Sequence, residues 1–204
     1  MGSVVEENVD KSIRSVIEKS SVLANQVIET DLRVDALEIE IDNAVIDLLA
    51  LQQPLASDLR FIVAAIKINN DLERISDHAV NIAQSARVLC TIADARIPEE
   101  IPQMASITKT MLKEAIDSFI SLNPSMAQKV LTSDDQIDDF NRLVMKKVVE
   151  VMKGNKEAVE CEMELGRISR NLERIADLTT NIAEEAIFHT QARIVKHHAE
   201  EKER

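Results

Sequence analysis

Between Asp31 and Gln53 the apolar residues Val34, Leu37, Ile41, Ala44, Val45 and Leu48 recur with the 3.6-residue period of a helix that buries one stripe. Such a helix should open at Asp31, a good N-cap or first-turn acid, and stop before Pro54. Ahead of it, a first helix is expected from about Val4 to Glu29, loosened around Lys19-Ser20-Ser21-Val22. A third starts in Ala56-Ser57-Asp58-Leu59-Arg60 and continues to about Leu89, a length that suits one side of an elongated bundle. The stretch ADARIPEEIP then carries two prolines and no periodicity, so it reads as a linker.

The second half repeats this plan. Its first helix begins near Pro102 and is interrupted at Asn123-Pro124. The stretch SDDQIDDF opens the next, and Gly154-Asn155 closes it in the manner of a C-cap. A last long helix runs from about Glu157 towards His189, before a polar tail, KHHAEEKER, that is expected to fray. The expected architecture is all-α: two tandem three-helix bundles, residues 1–92 and 101–204, joined by residues 93–100.

The repetition is visible in the residues themselves. DLERISDHAVNIAQSA (71–86) and NLERIADLTTNIAEEA (171–186) share nine of sixteen positions at an offset of 100. Packing accounts for the recurring leucine, isoleucines and alanines but not for the recurring Glu, Arg, Asp and Asn. Asp31 and Asp35 match Asp134 and Asp138 at an offset of 103, which puts three extra residues in a turn of the first half.

Composition narrows the possibilities. Three glycines and four prolines leave long helices uninterrupted, and a net charge of −12 with neither Trp nor Tyr argues against nucleic acid as a partner. The acidic start MGSVVEENVDK is not a signal peptide, Glu6 breaks the myristoylation pattern, and FIVAAI is too short to span a bilayer. Cys90 and Cys161 form no CxxC pair and read as small buried hydrophobes. These features fit a cytoplasmic protein.

The chemistry concentrates in carboxylates. Each half has two acidic pairs at i, i+4: Asp31/Asp35 with Glu73/Asp77, and Asp134/Asp138 with Glu173/Asp177. That spacing sets both carboxylates on one helix face about 6 Å apart along the axis. Antiparallel packing of the second and third helices of a half would bring four of them together. Two charges 4 Å apart repel by roughly 4 kcal/mol at an effective dielectric of 20, so Arg74, Arg174 or a bound cation must offset them. Carboxylates without His or Cys suit Mg, Mn, Ca or Fe, and bridging carboxylates can hold a multinuclear cluster. The competing reading is a solvated helix surface on a purely structural scaffold. Asn81 and Asn181 continue the acid face one turn on, as inter-helix hydrogen-bond groups or supports for a metal ligand. His78 has Leu178 as its counterpart, and His197 and His198 lie in the tail, so none reads as a ligand. No Glu has a His three residues later, as a di-iron oxidase of the ferritin type requires. No nucleophile stands with a base and no glycine-rich phosphate loop occurs, so the chain reads as a non-enzyme.

LALQQPLASDLRFIVAAIKINNDLERISDHAVNIA (49–83) resembles the hallmark segment of the PhoU family, and GRISRNLERIADLTTNIAEEAIF (166–188) resembles its second repeat. The resemblance implies a cytoplasmic accessory protein that restrains high-affinity phosphate uptake and the phosphate-starvation response. Its implied partners are the phosphate transporter's ATP-binding subunit and a sensor histidine kinase, and members are often homodimers. It also implies multinuclear metal clusters (Fe, Zn, Mn or Mg) on the paired E(D)xxxD motifs. Here those fall on Asp31, Asp35, Glu73 and Asp77, and on Asp134, Asp138, Glu173 and Asp177. Ser76 and Ala176 stand where the family usually has glycine; both are small enough for close helix packing. Asp58 and Arg60 face Ala158 and Glu160 in the repeat, so the halves are not equivalent beyond the acid motifs. The family's first helix usually begins several turns before the position of Met1.

Overall fold

The computed structural model describes residues 1–193, which form α1 (Gly2–Ile17), α2 (Ser21–Gln52), α3 (Ala56–Thr91), α4 (Glu100–Ile120), α5 (Pro124–Gly154) and α6 (Val159–Gln191). A single 3-10 turn, Lys156–Ala158, leads into α6. The tail histidines His197 and His198 lie outside the described residues. α1, α2 and α3 pack together, as do α4, α5 and α6, and α3 lies against α6 to join the two bundles. α1 also touches α4. One continuous core therefore runs through both halves, from Val5 and Val9 to Ile182 and Ile187.

The boundary between the first two helices is a correction to the sequence reading. α2 opens at Ser21, ten residues before Asp31, because Ser20 caps it: Ser20 Oγ accepts from the Leu23 backbone N–H at 3.3 Å. Lys19 takes a left-handed conformation (φ 48°) to make the turn. The second half repeats the device 103 residues on, where Leu122 is left-handed (φ 54°) and Asn123 Oδ1 accepts from the N–H groups of Ser125 and Met126. SDDQIDDF consequently opens nothing; it lies inside α5, just as Asp31 lies inside α2. This moves all four α2/α5 acids from helix ends, where free N–H groups would stabilise them, to helix interiors where they have no such support.

The α5–α6 junction also differs from expectation. Asn155 is extended (φ −142°) rather than left-handed, its N–H returns to Val151 O at 2.9 Å, and its side chain caps the following turn through Glu157 N. Only Asn155 separates α5 from that turn, whereas Gln53, Pro54 and Leu55 separate α2 from α3, so the extra length of the first half lies there.

Of the stripe read along α2, Val34 is fully buried, while Leu37, Ile41 and Val45 are only half-buried and Ala44 and Leu48 exposed. Helix lengths explain why. α1, with 16 residues, is about 24 Å long and α2, with 32, about 48 Å, so α1 covers only the first part of the α2–α3 pair. Leu32, Ile39 and Ile46, at seven-residue intervals, remain on the outside of α2 at 75%, 61% and 63% exposure. Cys161 is buried and Cys90 half-buried, both as free thiols.

Candidate functional site: two carboxylate faces

The packing of α2 on α3 and of α5 on α6 assembles both predicted acid sets. In the first half, burial raises the pKa of the Glu73 carboxyl, and the charges of Asp77, Glu38, Asp35 and Asp31 raise it further. All four predicted residues thus share one field, together with Glu38, which the i, i+4 pattern missed. The signal for it was present, since Glu38 lies three residues beyond Asp35 and so returns to the same face of α2. In the second half burial pushes Asp134 up to about 6, aided by Asp177, Asp138, Asp135 and Glu173. Glu173 and Asp177 are raised as well, first by burial, with Asp138 adding to both.

The two faces are balanced differently. In the first, Ser76 Oγ donates to Asp31 Oδ1 at 2.8 Å, and Asn8 Nδ2 from α1 donates to Ser76 Oγ at 3.2 Å. The relay spans all three helices of the half. At the corresponding positions the second half has Met111 for Asn8 (103 residues on) and Ala176 for Ser76 (100 residues on), both apolar and buried. Asp134 therefore has no hydroxyl to hold its charge. Arginine compensates instead: Arg174 Nη1 donates to Asp177 Oδ2 at 3.0 Å and Arg174 Nε lies 3.7 Å from Glu173 Oε2. Arg74, its equivalent, turns away from the acid face to Asp71 at 3.7 Å. So of the two arginines proposed as neutralisers, only Arg174 engages its motif.

His78 plays no part as a carboxylate partner in its own half. It bridges to the other, with Nδ1 2.9 Å from Asn171 Oδ1, and its charge tempers the raised pKa of Asp177. Asn69 donates from α3 to the Glu38 carbonyl and to Asp42 Oδ1, both at 3.1 Å, pinning the far end of the first face. Ser169 does the equivalent by donating to Asn141 Oδ1 at 2.8 Å. Asn141 takes the place of Glu38, 103 residues on, while Asp135, in the place of Leu32, brings the second face back to five acids.

Whether these faces suit a cation can be tested on their unmet demands. Glu173 Oε2 is buried without a hydrogen-bond partner, and the mutual elevation of Asp134, Glu173 and Asp177 is charge that a cation would neutralise. The donors are all hard oxygens. In the arrangement seen, no three His, Cys, Asp or Glu side chains among the described residues already enclose a metal-sized point. The faces have the chemistry of a cation site, and side-chain rotation would be needed to close it.

No helix among the described residues is long and apolar enough to cross a membrane. The chain is 33% identical over 189 residues to the phosphate-specific transport system accessory protein PhoU homolog of Clostridium acetobutylicum, covering 92% of this chain and 86% of that one. It is 35% identical to the corresponding homolog of Aquifex aeolicus, covering 99% and 92%. Its fold superposes on the crystal structure of PhoU from Pseudomonas aeruginosa with a TM-score of 0.92 at 33% identity, covering 95% of this chain and 93% of that one. The phosphate transport system regulatory protein PhoU of Streptococcus pneumoniae gives 0.88 at 27% identity, covering 96% and 92%. The PhoU domain pattern matches twice, at residues 1–86 and 101–186, once on each carboxylate face, and the chain belongs to the PhoU family of phosphate-transport accessory proteins.

Proposed function

We propose that the protein is a cytoplasmic adaptor that restrains high-affinity phosphate uptake and the phosphate-starvation response by binding the transporter's ATP-binding subunit and a sensor histidine kinase. The observation that carries this reading is the duplicated carboxylate face on a rigid six-helix frame of the PhoU family. Asp31, Asp35, Glu73 and Asp77 would hold metal in the first half, and Asp134, Asp138, Glu173 and Asp177 in the second. Bound Fe, Zn, Mn or Mg would supply positive charge that ties two helices together and relieves carboxylate repulsion. The chain's own groups prepare those faces: Ser76 fixes Asp31, Arg174 screens Asp177 until a cation takes its place, and Asn69 and Ser169 hold the helix register.

Leu32, Ile39 and Ile46 form an exposed seam with the seven-residue spacing that helices use to pair, which supports a homodimer through α2. The net charge of −12 favours partners with basic surfaces, and complementarity would mainly speed and orient association. Titration with the transporter ATPase and with the kinase tests the adaptor role. Binding to both, weakened by salt, is expected. Failure to bind either, together with hydrolysis of a phosphate ester at an enzyme-like rate, would overturn it.

A further inference from the structure

Where the two halves meet, α3 and α6 border a cleft of about 430 Å³ lined by Lys67, Asn70, Asp71, Asn181, Glu184 and Glu185. Glu185 is only 5% exposed. Its Oε1 accepts from Lys67 Nζ at 2.8 Å, and that ammonium is held in turn over the Phe188 ring, 5.5 Å from its centre. Glu185 Oε2 is buried and accepts from nothing. A buried carboxylate oxygen without a donor is costly, and Glu185 is one of the residues bordering a cleft large enough for a ligand. Asp71 carries Arg74 at 3.7 Å, so Glu185 supplies the unanswered acceptor. The side-chain amides of Asn70 and Asn181 stand on opposite walls and can turn their carbonyl oxygens inward.

The duplication shows that the cleft is particular to one place. At an offset of 100 the positions of Asn70, Asp71, Glu184 and Glu185 are held by Arg170, Asn171, Gln84 and Ser85. Every acid has been replaced, and an arginine stands where Asn70 leaves the cleft open. A face common to the fold would not be polarised in this way.

We infer that this cleft is the socket for an arginine side chain of a protein partner, its guanidinium donating to Glu185 Oε2 and to the carbonyl oxygens of Asn70 and Asn181. The occupant must bring several planar N–H donors and a positive charge. A guanidinium, unlike an ammonium, can meet acceptors on two walls at once. The inference rests on the adaptor reading and locates one of its contacts: the partner presents an exposed arginine, and the chain receives it between its two halves, where it senses how α3 and α6 are set.

The test uses the full chain and N-acetyl-arginine amide as the probe, followed by backbone and side-chain amide NMR, with the isosteric neutral N-acetyl-citrulline amide beside it. Saturable shifts confined to Asn70, Asp71, Asn181 and Glu185 are expected with the arginine probe and not with citrulline. Glu185→Gln should weaken binding by about tenfold or more, the usual effect of losing one charge-assisted hydrogen bond. Because Glu185→Gln also strips Lys67 of its partner, Asn70→Arg serves as the second variant. It copies the residue of the other half into an exposed wall position and should block the cleft while the melting temperature stays put. The same variants should lower affinity for the transporter ATPase or the kinase. Equal shifts with citrulline, or unchanged binding in both variants, would overturn the socket. Normal seating of the arginine probe with neither protein bound would support the socket and overturn the adaptor reading instead.

Discussion

Asp31 and Asp134 occupy equivalent positions on α2 and α5, yet they reach electrostatic balance by different routes. Asp31 is fixed by a hydroxyl from α3, itself fixed by an amide from α1. Asp134 faces an alanine and a methionine at those positions, and its carboxyl rises to about 6 while the arginine of its half attends to Asp177. Each face gathers five acids, but only the second has an arginine engaged among them. A duplicated site has thus become one face with no engaged arginine and one that holds its own counter-charge. The lesson is that the recurring letters mark where charge is placed, while the residues that differ decide how that charge is borne.

The comparison implies that what differs between halves is polar and what is shared is the core. Ile75 and Ile175 are both fully buried, so Ile75→Ala and Ile175→Ala should each cost about 2–5 kcal/mol by urea unfolding. A loss in one half only would break the idea of a single core spanning both.

Ser76→Ala should be next in size. It deletes the donor to Asp31 and leaves Asn8 Nδ2 buried and unanswered, a loss of about 1–3 kcal/mol. The reverse graft, Ala176→Ser, should pull the Asp134 pKa down towards the ordinary range, read by carboxyl NMR titration. If neither change moves its aspartate, the relay is not what separates the faces.

The pH dependence of the metal-free protein sharpens the contrast. Asp134 binds its proton more tightly folded than unfolded, so its stabilising contribution is complete below about 3.8 and is lost as pH rises through about 6. Asp31, Glu73, Glu173 and Asp177 are raised too and act in the same direction, whereas Glu100, drawn down by its hydrogen bond to Lys147, acts in the opposite one. Thermal melts of metal-free Asp134→Asn should therefore lose less stability than wild type between pH 4 and 6. A parallel profile for variant and wild type would remove Asp134 from the account.

The smallest effect belongs to Asp77→Ala. Asp77 is exposed and contributes little to packing, so metal-free stability should change by no more than about 0.5 kcal/mol. Metal retention in the first half should nonetheless fall. Equal destabilisation by Asp77→Ala and Ile75→Ala would contradict the division between acid face and core.

Helices, their approximate order and the eight acids were legible in the sequence because periodicity and recurrence are local or self-referring signals. The starts of α2 and α5 were not. Ser20 and Asn123 are ordinary caps, but Asp31 and the run Ser133–Asp135 imitate caps more loudly, and only packing decides that those acids serve mid-helix. The far half of α2 misled for a different reason: its apolar spacing is genuine, but α1 is too short to cover it. The Asn8–Ser76–Asp31 relay joins residues 68 and 45 positions apart, and no pattern in the chain ties them together. Glu38 was legible from its spacing and becomes meaningful once α3 lies beside it.

The central proposal is that both carboxylate faces hold metal and that the first, with no engaged arginine, takes it up more readily. Elemental analysis and anomalous diffraction on untagged protein, reconstituted with Fe, Mn, Zn or Mg, address it most directly. The account predicts metal beside Glu73/Asp77 and beside Glu173/Asp177, with the second face emptying first as pH falls, because the raised Asp134 carboxyl lets protons compete with the cation. Protein that retains no metal at either face after reconstitution with all four would contradict it.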